Sequence, residues 1–185
     1  MFKTDDLRAL LNKEKGLASN NRFKVTLPKI QSTCTKPDGS APTNPYNTED
    51  MAMLCTAANL PGKQFAAFDR QIGIETLKVA NGHNFPDVQL TFYLTGDYSL
   101  RKYFQEWAEC VVSKEPPFEV GYYDNYATRN VVKIEQLDKE QNPIYGVELR
   151  KVYPSSIGDI QLNNQQQAGP LELTVSLAFS NYVKI

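Results

Sequence analysis

The chain has 185 residues, 41% of them hydrophobic and 22% charged, the profile of a globular protein with a real core rather than a disordered one. Lysine and arginine total 20 against 21 aspartates and glutamates, a net charge of −1, so the basic excess that proteins use to displace counterions from nucleic acid is missing and tight DNA wrapping is disfavoured. One histidine, His83, sharply limits zinc chemistry and histidine-based acid–base catalysis.

The opening Met1-Phe2-Lys3-Thr4-Asp5-Asp6 lacks the basic and apolar regions of a signal peptide, and no apolar run approaches membrane-spanning length, so the protein is expected to stay where it is made. Leu7, Leu10 and Leu11 fall at helical spacing behind Asp5 and Asp6, which predicts a short amphipathic helix over 5–15. Phe23, Val25 and Leu27 then alternate with Arg22, Lys24 and Thr26 as a half-buried strand that Pro28 stops. From Gln31 to Asp50 the chain is rich in Pro, Ser, Thr and Asn and reads as a long loop, either mobile or ordered by contact with something else, with contact preferred.

An apolar run from Met53 ends at Pro61-Gly62, and Arg70 to Val79 reads as a strand turned by Asn81-Gly82. Val88, Leu90, Phe92 and Leu94 alternate strictly with polar neighbours. Leu100, Phe104, Trp107 and Val111, with Tyr103 and Cys110 beside them, predict a helix over about 99–112 that Asp97 or Ser99 caps and Pro116-Pro117 ends. After an aromatic connection through Tyr122, Tyr123 and Tyr126, strands follow over Val131–Leu137 and Ile144–Tyr153, joined by a turn-rich Asp138–Asn142. Leu171, Leu173, Val175, Leu177 and Phe179 alternate without a miss as the closing strand. The set predicts a mainly β (α+β) fold, an antiparallel barrel or sandwich with one packed helix, over a single domain 1–185 with a long loop insertion at about 31–52.

Chemistry is sparse. Cys34, Cys55 and Cys110 are an odd set with no short paired spacing, which suggests neither a disulfide framework nor a metal site and fits a reducing cytoplasm. His83 with Asp87 and Cys55 or Cys110 is the only grouping with conventional catalytic residue types; His83 lies in a turn sequence and Cys110 on an apolar helix face, so surface and core readings are preferred. Asp5-Asp6 and Glu49-Asp50 are adjacent pairs, not spaced acid–base partners, and no glycine cradle precedes a Lys-Ser or Lys-Thr pair. No enzyme activity, metal or cofactor is expected.

Four segments carry a family likeness: Asn21-Arg22-Phe23-Lys24-Val25; Leu54 to Gly62, with its Leu60-Pro61; Lys78 to Gly82 through Phe85-Pro86-Asp87-Val88, Leu90-Thr91-Phe92 and Tyr103-Phe104-Gln105-Glu106-Trp107; and Leu149 to Leu162, with Tyr153-Pro154 and Ile157-Gly158, ahead of the alternating strand. In this order and spacing they resemble the tail tube proteins of contractile-tailed bacteriophages. The resemblance implies a fold shared with the type VI secretion tube protein and hexameric rings stacked into a hollow tube inside a contractile sheath. It also implies sheath, baseplate and tail terminator proteins as partners, a tape measure protein in the lumen, and genomic DNA passing without specific binding. The place would be the virion tail, after synthesis in the host cytoplasm.

Alternation combined with that likeness nominates Lys133, Glu135, Glu148 and Arg150 as lumen residues. Asp38, Tyr46 and Glu49 in the long loop, with Pro154 and Ile157 in the 154–158 loop, are nominated for contacts between rings or subunits, alongside the N-terminal helix. A baseplate tube initiator and a ligand-binding or enzymatic β-barrel remain as alternative readings.

Overall fold

In the computed structural model, which describes residues 20–42, 46–162 and 169–185 together with Thr4 and Arg8, the apolar alternations build two four-stranded antiparallel sheets and a separate two-stranded one. The first sheet runs β1 (Phe23–Thr26), β6 (Val131–Leu137), β7 (Pro143–Arg150), β10 (Asn181–Lys184). The second runs β2 (Cys55–Ala58), β5 (Val88–Tyr93), β9 (Glu172–Ala178), β8 (Tyr153–Ile157). The third is a hairpin of β3 (Gln64–Ile72) and β4 (Glu75–Asn84). Four helices are described: α1 (Ile30–Thr33), α2 (Thr48–Met53), α3 (Ser99–Val111) and α4 (Tyr123–Tyr126).

Register explains the core. Val132 lies opposite Leu149 and Ile134 opposite Val147 in the first sheet; Val88, Leu90 and Phe92 lie opposite Leu177, Val175 and Leu173 in the second. All ten are buried in one cluster, because a period of two sends every second side chain to the same face. The fold is therefore a sandwich of open sheets, with no closed barrel among the described residues.

Helix α3 completes the core with Leu100, Tyr103, Phe104, Trp107 and Cys110, all fully buried. The buried stripe ends on Cys110, with Val111 only half-buried. Phe104 meets Phe92 of β5 at 5.6 Å between ring centroids and stacks on Trp107 at 6.2 Å. The Tyr103 hydroxyl donates to the Pro28 carbonyl at 2.7 Å, satisfying a polar atom that burial would otherwise penalise. At the helix start Tyr98 is left-handed (φ 55°) and the Asp97 carboxylate accepts from the Ser99 N–H. At its end the chain doubles back so closely that a Cβ on Gly121 would stand 2.4 Å from the Cys110 carbonyl oxygen, a contact only glycine permits.

Several boundaries differ from the sequence expectation. The stretch read as one strand over 70–79 is the tip of a hairpin: Gly73, at φ 63°, makes the turn, and Asn81-Gly82 sits inside β4 beside a register shift at Ala66/Ala67. The run read as Ile144–Tyr153 breaks at Lys151, which is left-handed (φ 56°), and resumes as β8 in the other sheet. The stretch read as a long loop contains α1 and α2, anchored by buried Ile30, Cys34, Thr48 and Met51. The aromatic connection includes the single turn α4, and β10 follows the strand read as the closing one. The helix expected over 5–15 lies outside the described residues apart from Arg8.

Candidate functional site

The outward face of the first sheet gathers all four residues nominated for a lumen. Lys133 of β6 pairs in register with Glu148 of β7, and their side chains approach to 3.5 Å; the Arg150 Nε donates to the other Glu148 oxygen at 2.9 Å. Glu135, two residues along the same face, lies opposite Gly146 on β7 and Lys24 on β1. This is a mixed-charge surface whose signs largely cancel. The Arg150 hydrogen bond, aided by Lys133, holds the Glu148 carboxyl below its ordinary range.

A depressed carboxylate contributes stability that is present above its unfolded pKa and lost as pH falls through its folded pKa. Glu148→Gln is therefore expected to cost at most about 1 kcal/mol near neutrality, the range for solvent-exposed pairs, and nothing in acid once Glu148 is protonated in both states. Urea unfolding of both chains at the two pH values measures the difference.

The outward face of the second sheet has another character. Gln89, Thr91, Thr174 and Ser176 stand in opposed pairs across β5 and β9, with the Thr91 and Thr174 hydroxyls 3.4 Å apart, and Glu172 at one end. The two sheets thus present one charged face and one face of mostly uncharged hydroxyls and amides.

The residues nominated for contacts between subunits are scattered. Asp38 sits in an exposed turn, its carboxylate accepting from the Ser40 N–H at 2.8 Å and hydroxyl at 2.6 Å. Tyr46 meets Tyr103 edge-on at 5.5 Å, against the core, and exposed Glu49 opens α2 with its N–H on the Asn47 side chain. Pro154 is buried opposite Leu177, and Ile157 is half-buried opposite Val175. The residues once weighed for catalysis have separate surroundings: His83 meets Phe85 edge-on at 5.0 Å, Asp87 accepts from the Ser155 hydroxyl, and Cys110 is in the core.

What sequence reasoning missed is the hairpin. Every residue of β3 and β4 is exposed. On one face Phe68 lies opposite Val79, Leu77 opposite Arg70, and Ile72 opposite Glu75; on the other, Asp69 faces Lys78 and Gln71 faces Thr76. The arm is amphipathic, nine residues or about 30 Å long, and its apolar side chains stay exposed among the described residues. The signal was present in two short alternating runs on either side of Gly73.

Two clefts, of about 740 Å³ and about 650 Å³, open beside β1, the first against α2 and the β6–β7 turn, the second against β2 and Pro86-Asp87. Both lie at sheet edges, since among the described residues β1 pairs only with β6 and β2 only with β5.

Comparison with known proteins agrees with this architecture. The model of a family described as phage tail tube protein matches residues 18–185. Among solved structures, a chain of the anti-feeding prophage baseplate is similar with a TM-score of 0.63 at 13% identity, covering 91% of this chain and 95% of that one. A chain from the sheath–tube complex of an extracellular contractile injection system in its extended state gives 0.56 at 9% identity, covering 100% and 99%. A type six secretion system protein gives 0.51 at 8%, covering 88% and 81%. No curated protein matches the chain.

Proposed function

The chain belongs to the phage tail tube protein family, and from that premise we propose that it is a structural subunit that stacks in hexameric rings to form a hollow tube. The observation that carries the reading is the fully exposed amphipathic hairpin β3–β4. A two-stranded hairpin is at best marginally stable alone, and an arm with one apolar face acquires a reason to persist when a neighbouring copy covers it.

The open edges support the same reading. β1 and β10 bound the first sheet, β2 and β8 the second, and ring closure satisfies the hydrogen bonds such edges leave unmade. In this assembly the charged face with Lys133, Glu135, Glu148 and Arg150 lines the lumen. Its paired, self-cancelling charges suit a conduit that passes genomic DNA without gripping it. Asp38, Tyr46, Glu49, Pro154 and Ile157 flank contacts to adjacent subunits, with 31–52 an insertion in a single domain spanning 1–185. Sheath, baseplate and tail terminator proteins meet the tube, a tape measure protein occupies the lumen, and the product is part of the virion tail after synthesis in the host cytoplasm. The role is structural, with no catalysis or cofactor.

Electron microscopy of the purified full chain tests this. Long hollow tubes of even diameter with six-fold end views are the expected result. Rings that never stack would indicate a tube initiator, and monomers at every concentration would overturn self-assembly.

A further inference from the structure

The arm β3–β4 is held at its base by a cluster of rings. Phe65 and His83 lie opposite each other in register at the sandwich end of the hairpin, and Phe85 directly follows β4. The Phe85 ring meets His83 edge-on at 5.0 Å, stacks on Phe179 at 5.5 Å and meets Tyr182 edge-on at 5.4 Å. Phe179 follows β9 of the second sheet, Tyr182 belongs to β10 of the first, and both pack against the core cluster. Phe85 thus ties a ring of the arm to one ring from each main sheet. On the other strand Lys63, just before β3, sets its ammonium 5.2 Å from the Phe65 centroid and 5.9 Å from that of Phe85. The chain entering the arm also runs against the chain leaving it, since a Cβ on Gly62 would stand 3.6 Å from Pro86 Cγ.

We propose that Phe85 is the positioning residue of the arm, a clasp that fixes the direction in which the hairpin leaves the sandwich. Every residue of β3 and β4 is exposed, whereas Phe85, Phe179 and Tyr182 are half-buried, so the arm's direction is set at its base and not along its length. Leverage makes this matter: a swing of about 10° at the base moves a tip about 30 Å away by about 5 Å, a full strand spacing. Rings suit the task because their attraction depends on orientation, the positive edge of one seeking the negative face of another. Phe85 meets its three partners at interplanar angles of 66°, 30° and 71°, which constrains rotation about more than one axis. The Lys63 cation adds an attraction to the two phenylalanine rings and draws the entering strand to the leaving one.

The test has two readouts, of which only the second rests on tube assembly. The first is amide hydrogen exchange, followed by mass spectrometry, on the dilute full chain and its Phe85→Ala and Phe85→Tyr variants. In Phe85→Ala the amides of β3 and β4 should exchange about tenfold faster, the loss of roughly one ring pair. Those of β5 and β9 should keep their rates and the urea midpoint should hold, because Phe85 stands outside the buried core cluster. Phe85→Tyr keeps the ring and should restore the arm's protection. The second readout is the concentration needed for tubes, which should rise about tenfold in Phe85→Ala and return with tyrosine. Unchanged exchange in the arm of Phe85→Ala would overturn the clasp, and so would an equal acceleration of β5 and β9, which would make Phe85 an ordinary packing residue. An unsubstituted chain that forms no tubes would count against the tube reading alone, with the exchange rates still deciding the clasp.

Discussion

Trp107→Ala is expected to lower the stability of the folded chain by about 3–5 kcal/mol, the range for removing a large aromatic from a closed core. Trp107 is the sole tryptophan, has no exposed surface, and stacks on Phe104 with Tyr103 edge-on at 6.0 Å. Its indole N–H also reaches the Tyr126 carbonyl at 3.5 Å, tying α3 to α4. That carbonyl keeps the Asn130 amide as a donor after the substitution, so the loss comes from packing rather than from an orphaned acceptor. Since domains of this kind are stable by about 5–15 kcal/mol in all, the variant should sit near its unfolding threshold. Urea unfolding followed by far-ultraviolet circular dichroism measures it, because the fluorescent residue is gone. Trp107→Phe keeps most of the ring contacts and should recover more than half of the loss. A cost below about 1 kcal/mol for alanine would mean that α3 is not the lid of the sandwich.

How much of this was legible in the sequence follows from which forces act locally. The strands Val88–Tyr93 and Glu172–Ala178 announce themselves because one face is buried against the core and the other is not, so the chemical period matches the structural one. Helix α3 is equally plain, since five buried side chains fall on one stripe. The lumen nominees came together because residues two apart on a strand share a face, and Lys133 met Glu148 through a register set by the hairpin connecting their strands. The turn at Gly73 was not legible, because Asn81-Gly82 is the stronger turn signal by composition, and only the bulge at Ala66/Ala67 lets it continue as strand. Lys151 in a left-handed conformation has no sequence signature at all. Pro154 and Ile157 looked like loop residues after a proline, yet the edge position of β8 is where a sheet tolerates proline, so they turned inward.

Phe68→Asp combined with Leu77→Asp is expected to abolish tube formation while leaving the subunit folded. Both side chains are exposed on the same face of the hairpin and neither belongs to the core cluster. Circular dichroism and the urea midpoint should therefore stay within about 0.5 kcal/mol of the unsubstituted chain. Assembly is different, because there the same two side chains pass from water into contact with a neighbouring copy. Fully burying a Phe or Leu contributes about 1.5–3 kcal/mol, and with Phe68 46% and Leu77 48% exposed about half of that remains for each, so losing both removes about 1.5–3 kcal/mol per subunit, to which each buried carboxylate adds a desolvation cost of at least about 1 kcal/mol. At about 1.4 kcal/mol per tenfold, the concentration needed for tubes should rise more than about 100-fold, read by sedimentation and microscopy across a dilution series. The paired control is Gln71→Ala with Thr76→Ala, on the opposite face of the same arm, where the threshold should move by less than about tenfold. If the control blocked tubes and the aspartates did not, the neighbour would be reading the polar face. The apolar row of Phe68, Ile72, Leu77 and Val79 would then need another occupant.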